Sequence, residues 1–138
     1  MPWRHVAHTA DVALDVEATS FEELCAEAAD ALVAVLVVHP SAGGRAKIAR
    51  TVRLPAAAEP ELLHGWLSAV LLAFELDRWV TDGAVVRRVA GGLEGDLYGA
   101  PFDADRHGGA AEVKAVTWHG LRVERLGDAW RARVLLDL

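Results

Sequence analysis

The sequence predicts an α+β fold in which two amphipathic helices pack on antiparallel β-sheet, within one domain spanning residues 1–138. Two stretches carry apolar residues at helical spacing, and most of the others alternate apolar and polar residues with period two. Hydrophobic residues make up 53% of the 138 positions and charged residues 25%. This composition is typical of a folded domain that is large enough to bury its own core.

The charge and the cysteine content narrow the classes of function. The formal net charge of −6 leaves no basic stripe for a phosphate backbone, so strong direct binding of nucleic acid is not expected. Cys25 is the single cysteine, which fits a small buried hydrophobe in a reducing compartment. The first residues show no signal-peptide pattern and no apolar run reaches membrane-spanning length. We therefore expect a cytoplasmic protein that does not enter a membrane.

The first third of the chain predicts two strands, at residues 3–7 and 12–16, followed by a helix. Between the strands, a straight chain would place His8 and Asp11 ~10 Å apart on opposite faces, whereas a turn would bring their Cα atoms within about 7 Å. An Asx turn in which Asp11 bonds only nearby amides is the alternative to a functional site. Ser20 and Glu23 form a capping box that begins a helix reaching Val38.

The middle of the chain predicts a strand at residues 46–54, a second helix and a hairpin. Pro60 suits the first turn of that helix, with Glu59 as a weak cap. His64 lies off its apolar stripe, which comprises Leu63, Trp66, Leu67, Val70, Leu71 and Phe74. From Trp79 the period returns to two, and Gly91-Gly92 marks the hairpin turn.

The loop at residues 100–109 holds Asp103, Asp105 and His107 at alternate positions, a pattern that suggests a metal site. It lacks the twelve-residue spacing and terminal glutamate of a helix-loop-helix calcium site, and a solvated loop is the alternative.

The last third predicts three strands, at residues 111–120, 121–126 and 130–138. In the first, alternation puts one set of side chains on one face (Val113, Ala115, Thr117 and His119) and another set on the opposite face (Lys114, Val116 and Trp118). At the end of the chain, the Asp137 side chain and the Leu138 α-carboxylate are neighbouring anions that repel each other. A hard cation, an arginine from another strand or a solvated terminus would each relieve this repulsion.

Four segments, taken together, resemble the archease family over essentially the whole chain. They are His8-Thr9-Ala10-Asp11, Leu62-Leu63-His64-Gly65-Trp66-Leu67, Val113-Lys114-Ala115-Val116-Thr117-Trp118-His119 and Leu136-Asp137-Leu138. Each motif alone is weak, but their joint order and spacing are fairly specific. The chain departs from the family pattern at Ser68-Ala69-Val70, where a polar, acidic turn is more usual, and this affects expected partner contacts more than the metal site.

The resemblance implies an accessory protein, without activity of its own, for the tRNA-splicing RNA ligase that joins 3′-phosphate and 5′-hydroxyl ends. Such proteins promote guanylylation of the ligase and its multiple turnover. The resemblance also implies a divalent ion, usually calcium, held by Asp11, Asp137 and the Leu138 carboxylate, and it matches Lys114 to the family's lysine. Carboxylates without a cysteine or histidine pair favour such a hard ion over zinc.

The remaining candidates are placed around that ion. We expect His8 to orient Asp11, and His119 and His107 to lie nearby. Lysine is only a donor and cannot ligate a cation, so Lys114 is expected to face the ligase or a phosphate. On a strand Lys114 and His119 are ~16 Å apart and could not share one small ion.

Two other functions are alternatives: a chaperone-like binding module for RNA-modifying enzymes with a purely structural ion, and a metal-dependent hydrolase built on residues 103–107. The lack of a nucleophile elbow or phosphate loop argues against a self-sufficient enzyme.

Overall fold

The computed structural model describes residues 11–44 and 50–138. In chain order its elements are β1 (Asp11–Ala18), α1 (Phe21–Leu36), a 3-10 helix (Pro40–Gly43), β2 (Arg50–Leu54), α2 (Glu59–Asp77), β3 (Trp79–Val89), β4 (Gly92–Pro101), α3 (Ala104–His107), β5 (Ala115–Val116), β6 (Arg122–Leu126) and β7 (Ala129–Asp137). The predicted α+β class with antiparallel sheet is confirmed. The strands divide between two sheets, and the one-turn helix α3 lies within the predicted 100–109 loop.

The first sheet is organised around β7, the last strand. β1 pairs with β7 on one side, while β6 and β5 pair with successive parts of its other side, all antiparallel. The predicted alternation of β7 is confirmed, because Ala132, Val134 and Leu136 are buried while Arg131 and Arg133 are exposed. The first and last described strands therefore lie side by side, with their inner faces on the core.

The second sheet has the order β2-β4-β3. The predicted hairpin is confirmed, but its turn is Ala90-Gly91 rather than Gly91-Gly92. Both turn residues have positive φ (44° and 82°), as a type I′ turn requires. On its outer face the Arg87 guanidinium bonds to Glu94 and, at 3.1 Å, to Asp96. These hydrogen bonds hold the pKa of both carboxyls below the usual range.

Helix α1 begins as the sequence predicts and ends two residues early. Ser20 is the N-cap, and its Oγ accepts from the Glu23 N–H at 3.1 Å. Glu23 does not complete a capping box with Ser20; its carboxylate instead accepts from the Thr19 hydroxyl at 2.6 Å. The helix ends at Leu36 because Val37 is extended and bridges to Ala110.

Helix α2 confirms its predicted stripe, all of which is buried. Its N-cap is Ala58 rather than Glu59, with no side-chain cap bond, so the capping prediction was wrong; Glu59 instead pairs with Arg88. Trp66 is fully buried, and its indole N–H donates to the Cys25 carbonyl oxygen of α1 at 2.8 Å. This bond joins the two helices at the centre of the core. Within the described ranges, no helix has both the length and the apolar character needed to cross a membrane.

The strand predicted at residues 111–120 was wrong in extent. Only Ala115–Val116 pair with β7, and the predicted alternation fails because Val113 and Val116 are both buried while Lys114 and Ala115 between them are both exposed. The segment is short because β7 is shared: β6 occupies residues 129–133 of the same edge, which leaves only its last residues to β5.

Candidate functional site

Asp11 and Asp137 are direct partners in the antiparallel pair of β1 and β7. Directly opposed residues of such a pair have Cβ atoms about 4.5–5.5 Å apart and project from the same face of the sheet. The buried neighbours Leu14 and Val134 point to the core, so both aspartates project from the outer face. Two carboxylates from opposite ends of the described chain therefore lie next to each other.

The other acidic residues of β1 have opposite charges as partners. Asp15 lies across from Arg133, with oxygen and nitrogen atoms 3.2 Å apart, and Glu17 lies across from Arg131 at 3.7 Å. In the described part of the chain, no ion pair reaches Asp11 or Asp137. Like charges directly opposed in a sheet are destabilising, and a cation bound between the two carboxylates would relieve the repulsion.

The surroundings of Asp137 also leave its carboxylate without a compensating partner among the described residues. Its Oδ1 is buried and has no hydrogen-bond partner among the described residues, which is a costly state for a carboxylate oxygen. On the side away from Asp11 its sheet neighbour is Ala115, whose side chain is only a methyl group. The Lys114 N–H donates to the Asp137 carbonyl oxygen at 2.7 Å and holds the backbone in place.

The third oxygen donor implied for this site is the α-carboxylate of Leu138. Leu138 directly follows Asp137, and its side chain is half-buried against the core, which anchors the end of the chain. Across residues 11–44 and 50–138 there is no group of three or more histidine, cysteine, aspartate or glutamate side chains arranged to hold a metal. The donors that the resemblance implies would instead be two side-chain carboxylates and the carboxylate of Leu138. These are hard oxygen ligands that suit calcium or magnesium with water completing the shell.

The other sequence candidates differ in their placement. Lys114 is exposed and immediately precedes Ala115, the residue paired with Asp137, so it lies beside the Asp11–Asp137 pair. His119 is exposed in the turn after β5. His8 lies outside the described residues.

His107, which was expected to lie near the ion, is a core residue. It is fully buried at the end of α3, where it stacks on Phe102 with ring centroids 5.7 Å apart. Its Nδ1 accepts from the Asp103 N–H at 2.9 Å, which places the proton of the neutral ring on Nε2. Asp103 is the N-cap of α3 and accepts from the Asp105 N–H, so the predicted metal-binding pattern is a helix cap over a core histidine.

The stack of Trp118 on His64 was not predicted from the sequence. Trp118 is 58% exposed and stacks on His64 of α2, with ring centroids 3.7 Å apart and planes 13° from parallel. His64 Nε2 lies 2.8 Å from the Val116 carbonyl oxygen, which can only accept, so Nε2 donates. The one sequence signal was that His64 lies off the apolar stripe.

Comparison with known proteins finds relatives that match this chain over nearly its whole length. Residues 3–138 match the sequence model of the Archease protein family (MTH1598/TM1083). This chain belongs to the archease family. Protein archease of Methanopyrus kandleri is 33% identical over 142 residues, covering 100% of both chains. Protein archease of Pyrococcus furiosus is 32% identical and covers 99% of this chain and 98% of its own.

Two solved structures share the archease fold seen here. The crystal structure of an archease from Thermotoga maritima, described as a possible chaperone, superposes with a TM-score of 0.73 at 21% identity and covers 100% of this chain and 98% of its own. The solution structure of Methanobacterium thermoautotrophicum protein 1598 superposes with a TM-score of 0.75 at 25% identity, covering 96% of each chain.

Proposed function

We propose that this archease is an accessory protein that activates the RNA ligase joining 3′-phosphate and 5′-hydroxyl ends in tRNA splicing. In this proposal it promotes guanylylation of the ligase and its multiple turnover, and has no ligase activity of its own. The observation that carries the proposal is the direct opposition of Asp11 and Asp137, which belong to two motifs by which the chain resembles the family. An accessory role also fits the description of the Thermotoga maritima protein as a possible chaperone.

The acidic edge, by which we mean Asp11, Asp137 and the Leu138 carboxylate, would be the part that acts on the ligase. Asp11, Asp137 and the Leu138 carboxylate would hold a divalent cation, calcium in the first instance, which would supply positive charge and coordination positions for oxygen atoms. The buried, unpartnered Oδ1 of Asp137 fits this role. Three sheet strands converge on Asp137, so its position is set by backbone hydrogen bonds rather than by a loop.

Lys114 would supply the other charge at this edge. Its backbone is fixed by the bond to the Asp137 carbonyl oxygen, while its side chain is exposed. A lysine ammonium is a compact point charge suited to a phosphate, such as that of a nucleotide at the ligase centre. The edge would thus present a cation site and an ammonium group side by side to the nucleotidylation centre.

A reconstituted ligation assay with purified ligase tests the proposal. Asp11→Asn and Asp137→Asn remove one negative charge each and preserve shape, and both are expected to lose most of the stimulation of multiple turnover. Asp128→Asn is the matched control, since Asp128 is exposed in the turn at the opposite end of β7. Full stimulation by both edge variants would rule out the proposed role of this site.

A chaperone-like module with a structural ion is the second candidate, and the description of the Thermotoga maritima protein favours it. It makes a different prediction for the same variants. Asp137→Asn would then lower the melting temperature but, once folded, would bind and stimulate the ligase as well as the wild type does.

A further inference from the structure

An apolar groove of about 520 Å³ opens beside the Trp118–His64 stack. Its wall comes from the segment leading into α2 (Leu54, Pro55 and Ala57), from the first turns of α2 and from Trp118. Trp118 follows Ala115, the sheet neighbour of Asp137, by three residues, so the groove starts within ~10 Å of chain from the acidic edge. A partner that touches this edge can also reach the groove.

The stack holds Trp118 in one orientation although most of its surface is exposed. His64 is fixed from both sides, by α2 and by the bond from its Nε2 to the Val116 carbonyl oxygen. The imidazole covers one face of the indole. The opposite face is available to a ligand, and a rigid exposed aromatic of this kind is typical of an interface hot spot.

The other described tryptophans show which group fits on such a face. Trp79 has Arg50 over its ring at 5.0 Å and Trp130 has Arg125 at 5.6 Å, while Trp66 is fully buried. Among the described residues, no arginine or lysine of this chain lies over Trp118. The planar guanidinium of arginine stacks on indole faces more readily than the ammonium of lysine does.

The charge at the groove also favours an arginine as the occupant. Glu61 is the single acidic residue in the groove wall, it is exposed, and no described cation pairs with it. Glu59, two residues earlier, is already paired with Arg88. Glu61 together with the chain's net charge of −6 favours a cationic occupant and disfavours RNA, whose phosphates would be repelled.

We propose that the groove is the docking site for a basic–apolar segment of the ligase. An arginine of that segment stacks on the free face of Trp118 and pairs with Glu61, and an adjacent aliphatic or aromatic side chain fills the groove between Leu54 and Ala57. This inference rests on the proposed function in naming the ligase as the partner. In this proposal the groove provides affinity for the ligase, and the acidic edge activates it.

Binding of purified ligase to the immobilised full-length protein, measured by biolayer interferometry, tests the assignment. Trp118→Ala is expected to weaken binding about 10- to 50-fold and Glu61→Lys about 5- to 20-fold, with Trp118→Phe in between. The matched controls lie at the other end of α2: Leu76→Ala, at a residue 71% exposed, and Glu75→Lys, which makes the same charge change. Both controls are expected to bind within about twofold of the wild type. Melting temperatures identify any variant that does not fold. If Trp118→Ala does not fold, Glu61→Lys, which lies on the exposed helix surface, decides the outcome.

The outcomes separate the two proposals. Equal binding by the wild type, Trp118→Ala and Glu61→Lys, with stimulation by the wild type intact, would overturn the docking site alone. A wild-type protein that neither binds nor stimulates the ligase would overturn the proposed function and the docking site with it. Binding of a 12-nucleotide oligouridylate that is lost in Trp118→Ala, while ligase binding is kept, would assign the groove to RNA and overturn the proposal.

Discussion

Asp11 lies opposite Asp137 at the end of a strand pair whose other acidic residues, Asp15 and Glu17, lie opposite arginines. The sheet is therefore charge-compensated along β1 except at this last pair. A hard cation bound there would complete the pattern, and its binding would be linked to folding because the unfolded chain does not bring the two aspartates together.

The first prediction concerns metal and stability. Calcium or magnesium at 100 times its dissociation constant should raise the free energy of unfolding by about 2.7 kcal/mol. Asp137→Asn should abolish that increase, and in the presence of a chelator it should be roughly 0.2–1 kcal/mol more stable than the wild type because the like-charge pair is gone. Urea unfolding with and without metal measures both effects. An identical metal response in the wild type and in Asp137→Asn would contradict the assigned ligands.

The second prediction concerns acid unfolding. Hydrogen bonds from Arg87 lower the pKa of Glu94 and Asp96, and Thr51 adds to the effect on Asp96. Because these pKa values are depressed in the folded state, the pairs stabilise the protein above the ordinary Asp and Glu range, and that stability is lost as the pH falls through the lowered values. Arg87→Gln should therefore be less stable than the wild type at pH 7, and the difference should shrink toward acid pH.

Urea unfolding between pH 7 and pH 3 measures this difference. Arg106→Gln is the control, since its pair with Asp103 is exposed and long, at 3.8 Å. A stability difference between the wild type and Arg87→Gln that stays constant across the pH range would show that the pairs of Arg87 with Glu94 and Asp96 are not the cause.

The third prediction concerns the contact of Trp66 with β4. A Cβ added at Gly95 would lie 2.5 Å from Cη2 of Trp66, far inside contact distance. Trp66 is fully buried and bonded to the Cys25 carbonyl oxygen, so it has no room to move. Gly95→Ala should cost about 1–3 kcal/mol of unfolding free energy, measured by urea denaturation. Gly109→Ala, where no atom lies within 4 Å of the added Cβ, should stay within roughly 0.5 kcal/mol of the wild type.

The fourth prediction concerns Cys25. Burial raises the pKa of its thiol to about 12, so the thiolate is scarce at neutral pH and the sulfur is shielded from reagents. The native protein should not react with a disulfide reagent such as DTNB at pH 8, whereas the unfolded protein should release one equivalent of chromophore, because the chain has 1 cysteine. Rapid labelling of the native protein would mean that α1 opens readily.

Local features of this protein could be predicted because they depend on neighbouring residues. The Ser20 cap, the buried stripe of α2 and the alternation of β7 all follow from side-chain spacing within one element. The Glu59 cap and the Glu23 half of the capping box were local errors, whereas the larger errors arose where another element intervened. The 111–120 strand is short because β6 takes up part of the β7 edge, and His107 is buried because the one-turn helix α3 turns it toward the core.

By itself, the sequence determined the class of fold, the two long helices, the two C-terminal strands and the motifs by which the chain resembles archease. Only the tertiary structure decided that Asp11 faces Asp137 rather than an arginine, and that Trp118 stacks on His64 beside an open groove. The physical reason is that periodicity records which face of an element is buried, whereas strand order, register and ring stacking depend on packing between residues far apart in the chain.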